Sequence, residues 1–276
     1  MGRKEEILEF CTSVNKKLTA KDIINALYPG KPQPYVNSLI NELVYERKLV
    51  REDTKPYTVH VPAEGEIIGD VSDYSKGSRE KRREDIPTPN VEEIERYLAA
   101  WTELENYTLQ ESALNKLFLE TYKENKEIED VLVKVATLND FYSTQIFSVY
   151  PVAKHIVNLD IDARLQAGDV TLVNDIASVT MESGAEKNFY SFATKYCSHH
   201  QPNKFAIYDS YVEKILKYYR NVDAFCVFTD SELKDYLVFS KVLKEFQLFY
   251  GLEKFTLKDL DRYLWQLGKE KFPKKY

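Results

Sequence analysis

Residues 184–212 read GAEKNFYSFATKYCSHHQPNKFAIYDSYV and contain the highest density of candidate functional residues in the chain. Gly184 indicates a turn, and an apolar face at helical spacing follows it: Phe189, Phe192, Ala193 and Tyr196. Pro202 ends this helix, and an extended apolar segment, residues 205–208, delivers Asp209 to the start of the next helix. An acidic side chain there caps backbone N–H groups, and the helix dipole stabilises its carboxylate.

The pattern around this stretch is helical from Asn90 to the end of the chain. Thr256 and Asp259 have the spacing of a capping box at the start of the last helix. We predict helices over 91–101, from Thr108 onward, and over 128–147, 188–200, 210–220, 230–250 and 256–267. Residues 90–276 are therefore predicted to form one nearly all-α domain, and the fold class is mainly α.

Residues 1–62 predict a smaller α+β domain. Their pattern indicates helices over 3–15, 19–28 and 33–47, followed by strands over 49–52 and 57–61. Three short helices followed by a β-hairpin are in the order of a winged helix-turn-helix domain. Residues 63–89 are predicted to be a polar linker, and their basic run is either solvated or a phosphate-contacting arm.

The composition excludes several classes of protein. No apolar run approaches the roughly 20 residues that cross a bilayer, and the N-terminus is acidic where a signal peptide is apolar. We therefore expect a cytoplasmic protein with no membrane partner. The three cysteines are far apart, no CxxC occurs and the four histidines lack zinc spacing, so we expect no disulfide, metal or cofactor.

The order of turn, helix, proline loop, short apolar segment and Asp resembles the catalytic core of the helix-hairpin-helix DNA glycosylases, particularly the 8-oxoguanine type. Ala206-Ile207-Tyr208-Asp209 is similar to the segment that carries the essential Asp of that family. The resemblance implies that Asp209 is catalytic and that Gly184 lies in the DNA-binding hairpin. It also implies a catalytic Lys, either Lys187 at the family's usual position or Lys195 two turns into the helix.

The implied activity is removal of a damaged or modified base, as in base excision repair. A glycosylase extrudes the base into a pocket, and a fixed carboxylate stabilises the positive charge left on the sugar. A Lys with a lowered pKa can attack C1′ and add AP-lyase activity. Only Gly184 matches the glycines of the family's hairpin, and the net charge is −6. A non-enzymatic winged-helix DNA-binding or regulatory protein with an inactive glycosylase-like domain therefore stays open.

The third predicted helix of the small domain presents a polar face suited to base edges in the major groove. Basic residues beyond that helix are suited to phosphates. The candidate DNA-binding residues are Gln33, Tyr35, Asn37, Ser38, Asn41, Arg47, Lys48, Arg51 and Lys55. Winged helices also bind proteins, and Glu42 and Glu46 share the helix, so a protein partner stays open beside DNA.

Overall fold

The computed structural model describes residues 3–29, 36, 39–40, 43–44, 46, 48–52, 58–63, 82–223 and 225–273. The chain is mainly α, as predicted, and it divides into two compact units. The smaller unit is Met1–Lys81 with Arg220–Thr229, and the larger unit is Arg82–Tyr219 with Asp230–Tyr276. Within the described ranges, no helix is both long enough and apolar enough to cross a membrane.

The smaller unit combines helices with a three-stranded antiparallel sheet. Its helices Arg3–Val14 and Ala20–Leu27 flank the strand Leu18–Thr19, which pairs with Thr58–His60. Thr58–His60 also pairs with Val50–Arg51 and so forms the middle strand. The core contains buried side chains from the helices, from the sheet and from helical residues between them: Ile7, Cys11, Leu18, Ile23, Val36, Ile40, Leu43, Val44, Leu49 and Val59.

The larger unit is a set of helices interrupted by one β-hairpin. The helices are Val91–Thr102, Glu105–Asn115, Ile128–Tyr142, Val149–Asn158, Asp162–Ala167, Leu172–Ala177, Tyr190–His200, Ser210–Asp223 as far as Tyr219, Tyr236–Tyr250 and Leu257–Lys271. A π-helix over Lys116–Thr121 and a short 3-10 helix over Glu232–Lys234 complete the helical elements. The strands Ser178–Thr180 and Glu186–Asn188 pair antiparallel as the hairpin.

Helix boundaries follow the predicted capping residues at some positions and depart from them at others. Thr256 and Asp259 form the predicted capping box. Thr108 does not open a helix, because the chain is already helical from Glu105 and the Thr108 hydroxyl donates to the Glu105 carbonyl at 2.9 Å. The helix predicted to reach residue 147 ends at Tyr142, since Ser143 adopts a left-handed φ of 49°. The helix predicted from residue 230 begins instead at Tyr236.

The end of the predicted linker belongs to the larger unit. Ile86 is buried there, and the Tyr218 hydroxyl accepts a hydrogen bond from the Arg83 N–H at 3.0 Å. The Tyr219 hydroxyl donates to the carbonyl of Pro87 at 2.6 Å. These contacts fix residues 82–89 on the helix Ser210–Asp223, so composition alone placed the start of the domain too late.

The helix Tyr190–His200 is the central element of the larger unit. Every residue of this helix except Ser191 is buried, including the polar ones. It packs against Leu172–Ala177, Ile128–Tyr142 and the π-helix. A polar side chain on a helix that is buried on nearly every side reaches solvent only through a cavity. The few charged groups of this helix are therefore candidates for function.

Candidate active site

A cavity of about 260 Å³ lies within the larger unit. This volume is close to the ~300 Å³ lower end for small-molecule pockets. Its walls come from six segments of the chain, and the lining residues are Trp101, Tyr107, Gln110, Glu111, Leu114, Phe141, Tyr142, Ser143, Lys195, Ile207, Asp209, Tyr211, Lys258, Asp261, Arg262 and Trp265. The cavity therefore joins two residues predicted to be catalytic, Asp209 and Lys195.

Lys195 is held in place by its own helix and by the segment before Asp209. Its Nζ donates to Ser191 Oγ at 2.7 Å and to the Tyr208 carbonyl oxygen at 3.1 Å. Nζ also lies 5.2 Å from the centroid of the Tyr142 ring. The residue is only 2% exposed, and burial lowers its pKa, although Asp209 and Asp261 oppose that shift. A lowered pKa raises the neutral fraction of the amine, which is its nucleophilic form.

Asp209 stands at the start of the helix Ser210–Asp223. The preceding residues 205–208 are all buried, and the Tyr208 N–H donates to Thr194 Oγ1 at 3.1 Å. Asp209 Oδ1 accepts a hydrogen bond from the Tyr211 N–H at 2.7 Å, so the carboxylate caps the helix. The second carboxylate oxygen is not needed for this cap, and Asp209 also lines the cavity.

Two further carboxyl groups line the cavity in contrasting environments. Burial raises the pKa of Asp261 to about 6, with Lys258 and Lys195 opposing the shift. Burial acts on Glu111 in the same direction, but its pKa is lowered on balance by Lys258 and Arg262. Glu111 accepts from Arg262 at 2.8 Å and lies 3.0 Å from Lys258 Nζ. Glu111 is therefore a carboxylate, whereas Asp261 can hold a proton near neutral pH.

Aromatic rings form part of the wall. The centroid of Trp265 lies 4.9 Å from that of Tyr107 and 5.9 Å from that of Trp101, with edge-to-face geometry in both pairs. Trp101 Nε1 donates to Glu111 at 3.2 Å. The rings are thus fixed by packing and by one hydrogen bond, which suits them to stacking on a flat ligand.

The structure does not bring Lys187 or Gly184 to this cavity. Lys187 lies in the strand Glu186–Asn188, whose three residues are all exposed. Gly184, at φ 79°, turns between the two strands, and its N–H donates to the Met181 carbonyl at 2.8 Å. The expected turn between two helices is therefore a β-hairpin, and the helix begins at Tyr190, three residues after Lys187.

The candidate DNA-binding residues of the smaller unit are described only in part. Lys48 forms an ion pair with Glu46 at 2.8 Å. Arg51 is half-buried in the strand Val50–Arg51. The remaining candidates lie outside the described residues: Gln33, Tyr35, Asn37, Ser38, Asn41, Arg47 and Lys55.

Sequence reasoning missed the part of the site that lies on the last helix. Lys258, Asp261, Arg262 and Trp265 have the spacing i, i+3, i+4 and i+7, which places them on one helical face. A polar and aromatic face on a helix usually meets solvent. The feature that could have indicated a functional site is the combination of a Trp with positive and negative charges on that one face. A helical face of this composition can line a cavity as well as meet solvent.

A second buried polar cluster lies away from the cavity. Lys134 is fully buried, and its Nζ donates to the carbonyls of Tyr122 at 3.0 Å and Glu124 at 2.8 Å, and to Asn125 Oδ1 at 2.6 Å. Burial lowers the pKa of Lys134 to about 8. These bonds cap the backbone after the π-helix, so the cluster has a structural role.

The fold and the cavity define a mainly helical protein with a buried lysine, carboxyl groups and aromatic rings around one pocket. The family model HI_0787_N, described as an N-terminal domain, matches residues 93–204. An "Uncharacterized protein" of Haemophilus influenzae (strain ATCC 51907 / DSM 11121 / KW20 / Rd) is 53% identical over 148 residues, which is 53% of this chain and 70% of that protein. The chain belongs to the same family as this Haemophilus influenzae protein. No solved structure matches the chain.

The matched family segment contains Lys195, Tyr142 and Glu111, whereas Asp209 and Asp261 follow it. The cavity is therefore completed by residues from beyond the segment that the family model describes.

Proposed function

We propose that the larger unit is a DNA glycosylase with AP-lyase activity that removes a damaged or modified base. The observation that carries the proposal is the buried Lys195 amine on the wall of the same cavity as the Asp209 carboxylate. A desolvated amine beside a fixed carboxylate is the pair that this reaction needs.

The reaction assigns each group a role. The lone pair of neutral Lys195 Nζ attacks C1′ of an extruded nucleotide, and the bond from C1′ to the base breaks. The base takes the electron pair of that bond. The Asp209 carboxylate stabilises the positive charge that develops on the sugar. The amine then forms an imine with the opened sugar, from which the 3′ phosphate is eliminated.

The aromatic rings supply the base-binding surface in this proposal. Trp101, Tyr107 and Trp265 are held in fixed orientations around the cavity. A base removed from the duplex loses its stacking, and planar side chains restore part of that energy, at ~1–3 kcal/mol per stacked base.

The smaller unit is proposed to be a winged helix that holds the enzyme on DNA. The described strand order, with Thr58–His60 between Leu18–Thr19 and Val50–Arg51, supports this fold. Lys48 precedes the strand Val50–Arg51 and Arg51 is its second residue, and basic side chains of this kind are suited to phosphate contacts.

A non-enzymatic DNA-binding or regulatory protein is the second candidate. The β-hairpin over residues 178–188 favours it, because it stands where the resemblance implies a phosphate-binding turn between helices. The cavity beside Asp209 favours the enzyme, since a binding module has no need of a buried amine on a cavity wall.

The test uses duplexes that each carry one 8-oxoguanine, uracil, hypoxanthine, 7-methylguanine or abasic site. Base release and borohydride-trapped protein–DNA adducts are measured for the full chain. Lys195→Gln should remove the adduct, whereas Lys187→Gln, the matched control in the exposed hairpin, should retain it. Asp209→Asn should lower base release by about 10²–10³ while DNA binding survives. An adduct that persists in Lys195→Gln, or wild-type protein that neither releases a base nor forms an adduct, would overturn the proposal.

A further inference from the structure

The proposed glycosylase reaction leaves one proton unassigned, and this inference rests on that proposed function. When the bond from C1′ breaks, an uncharged base departs as an anion unless a proton reaches it. Lys195 must be neutral to attack, so it has no ammonium proton to give at that moment. Another group in the cavity has to supply the proton.

Three carboxyl groups line the cavity: Glu111, Asp209 and Asp261. Glu111 is bound by Lys258 and Arg262 and stays ionised. Asp209 serves as the helix cap, in which its oxygen accepts the Tyr211 N–H. Glu111 is thus engaged by two cations and Asp209 by the helix end, which leaves Asp261 as the third carboxyl group of the cavity.

The surroundings of Asp261 contain charges of both signs. Lys258 on the same helix lies 3.8 Å from its Oδ2, but Lys258 is closer to Glu111, at 3.0 Å. Three further groups act on the pKa of Asp261 electrostatically. Lys195 on the central helix lowers it, whereas the carboxyl groups of Asp209 and Glu111 raise it. Tyr142 on the helix Ile128–Tyr142 shares the cavity. Its hydroxyl is 2.9 Å from His199 Nε2, and burial raises its pKa, so it is a poor acid.

We propose that Asp261 is a catalytic acid that delivers a proton to the departing base. Its O–H bond breaks toward a nitrogen or oxygen atom of the base, which has just received the electron pair from C1′. The resulting Asp261 carboxylate accepts a proton from the Lys195 nitrogen, which carries a positive charge once it is bonded to C1′. The cycle needs no further acid, because the proton that leaves the carboxyl group is replaced by one from the amine.

The placement of Asp261 gives this role physical support. The side chain is only 15% exposed, and its burial disfavours the carboxylate, as a proton donor requires. It lies at the i+3 position from Lys258 on a helix whose capping box fixes its start. The acid is thus carried by a rigid element rather than by a loop.

The test compares leaving groups with the full chain. A 7-methylguanine is already cationic and departs neutral without a proton, whereas 8-oxoguanine, uracil and hypoxanthine are uncharged. Asp261→Asn should lower single-turnover release of an uncharged base by about 10² or more and change release of 7-methylguanine by less than about 3-fold. Asp140→Asn, on an exposed position near the end of the helix Ile128–Tyr142, is the matched control and should behave as wild type.

Two more measurements separate a catalytic from a structural role. Wild-type release of an uncharged base should fall as pH rises through about 6, and this limb should disappear in Asp261→Asn. The borohydride adduct with abasic-site DNA should persist in Asp261→Asn, because no base has to leave. Equal losses on all bases together with loss of the adduct would overturn the role of Asp261 and leave the proposed function intact. Wild-type protein that neither releases a base nor forms an adduct would overturn both.

Discussion

Lys195 Nζ donates a hydrogen bond to the main-chain oxygen of Tyr208, 3.1 Å away, and so joins the helix of the amine to the segment that carries Asp209. A second bond runs the opposite way, from the Tyr208 N–H to Thr194 Oγ1 at 3.1 Å. Both polar groups of one peptide segment are therefore satisfied by neighbouring residues of the central helix. Two hydrogen bonds between side chains of the central helix and the Tyr208 backbone therefore fix the position of Asp209 relative to Lys195. Such fixed geometry suits a catalytic site.

Thr194→Val should loosen this connection. Valine has nearly the same shape, but it leaves the buried Tyr208 N–H without its acceptor, and Thr194 is fully buried. We expect a loss of ~1–3 kcal/mol in the free energy of unfolding, measured by urea denaturation. Thr137→Val is the matched control, because the Thr137 hydroxyl donates to the Val133 carbonyl of its own helix at 2.8 Å and does not join two elements through this bond. Equal effects of the two substitutions would contradict the proposed connection.

Asp261→Asn should stabilise the protein at neutral pH even though it impairs the proposed reaction. Burial raises the pKa of Asp261 from 3.8 to about 6, so the folded state binds more protons than the unfolded state between these values. Stability from this group is present below about pH 4 and is lost as pH rises through about 6. We expect Asp261→Asn to gain up to ~3 kcal/mol at neutral pH relative to wild type. The gain should vanish near pH 4 in urea melts, and a gain independent of pH would show that the carboxyl group is not responsible.

Local patterns predicted those parts of the fold that depend on neighbouring residues in the chain. The capping box predicted at Thr256 forms, and Asn90 caps its helix by accepting from the Glu93 N–H at 2.9 Å. The pairing of Ser178–Thr180 with Glu186–Asn188 was missed, because two strands of three residues carry too little alternation to be recognised. The polar face of the last helix was missed for a different reason. Spacing locates the face, but the residues that it meets come from other helices and segments, from about 50 to more than 150 positions away.

The choice between Lys187 and Lys195 illustrates the same limit. Both lysines follow Gly184 closely, and sequence alone kept them as alternatives. The structure separates them by burial, since Lys187 is exposed in the hairpin whereas Lys195 lies on a helix that is buried on nearly every side. Burial of a helix on all faces depends on tertiary packing that periodicity does not report.

Lys134 should make the stability of the protein rise at alkaline pH. Its pKa is lowered by burial from 10.5 to about 8, so the unfolded state binds more protons between these values. The free energy of unfolding should therefore increase from about pH 8 to pH 10.5, by up to ~3 kcal/mol, relative to a Lys134→Met variant. Below pH 8 the difference between the two proteins should be constant. A difference that stays constant over the whole range would contradict this assignment.

DNA binding by the proposed winged helix should depend strongly on salt, because contacts to phosphates release counterions. A quadruple alanine variant should bind a duplex more weakly at low salt and show a smaller slope of log affinity against log salt. The four residues changed to Ala are Arg47, Lys48, Arg51 and Lys55. Fluorescence anisotropy at several salt concentrations measures both quantities. Unchanged affinity at low salt would mean that this surface does not bind DNA. A duplex without a lesion should be used, so that the cavity of the larger unit does not contribute.

Gly268→Ala should disturb Asp209 through the neighbouring backbone. Gly268 is buried on the last helix, and a Cβ there would lie 2.7 Å from Tyr211 Cβ and 2.8 Å from the Tyr211 carbonyl oxygen. The helices must shift, and Tyr211 is the residue whose N–H holds the Asp209 carboxylate. We expect a loss of ~1–3 kcal/mol in the free energy of unfolding and a lower rate of base release than this loss of folded protein explains. Lys241→Ala, at an exposed position of the helix Tyr236–Tyr250 that does not line the cavity, is the control for an alanine in a helix. Wild-type stability and wild-type activity in Gly268→Ala would show that the two helices do not approach so closely, and that the Tyr211 backbone does not position Asp209.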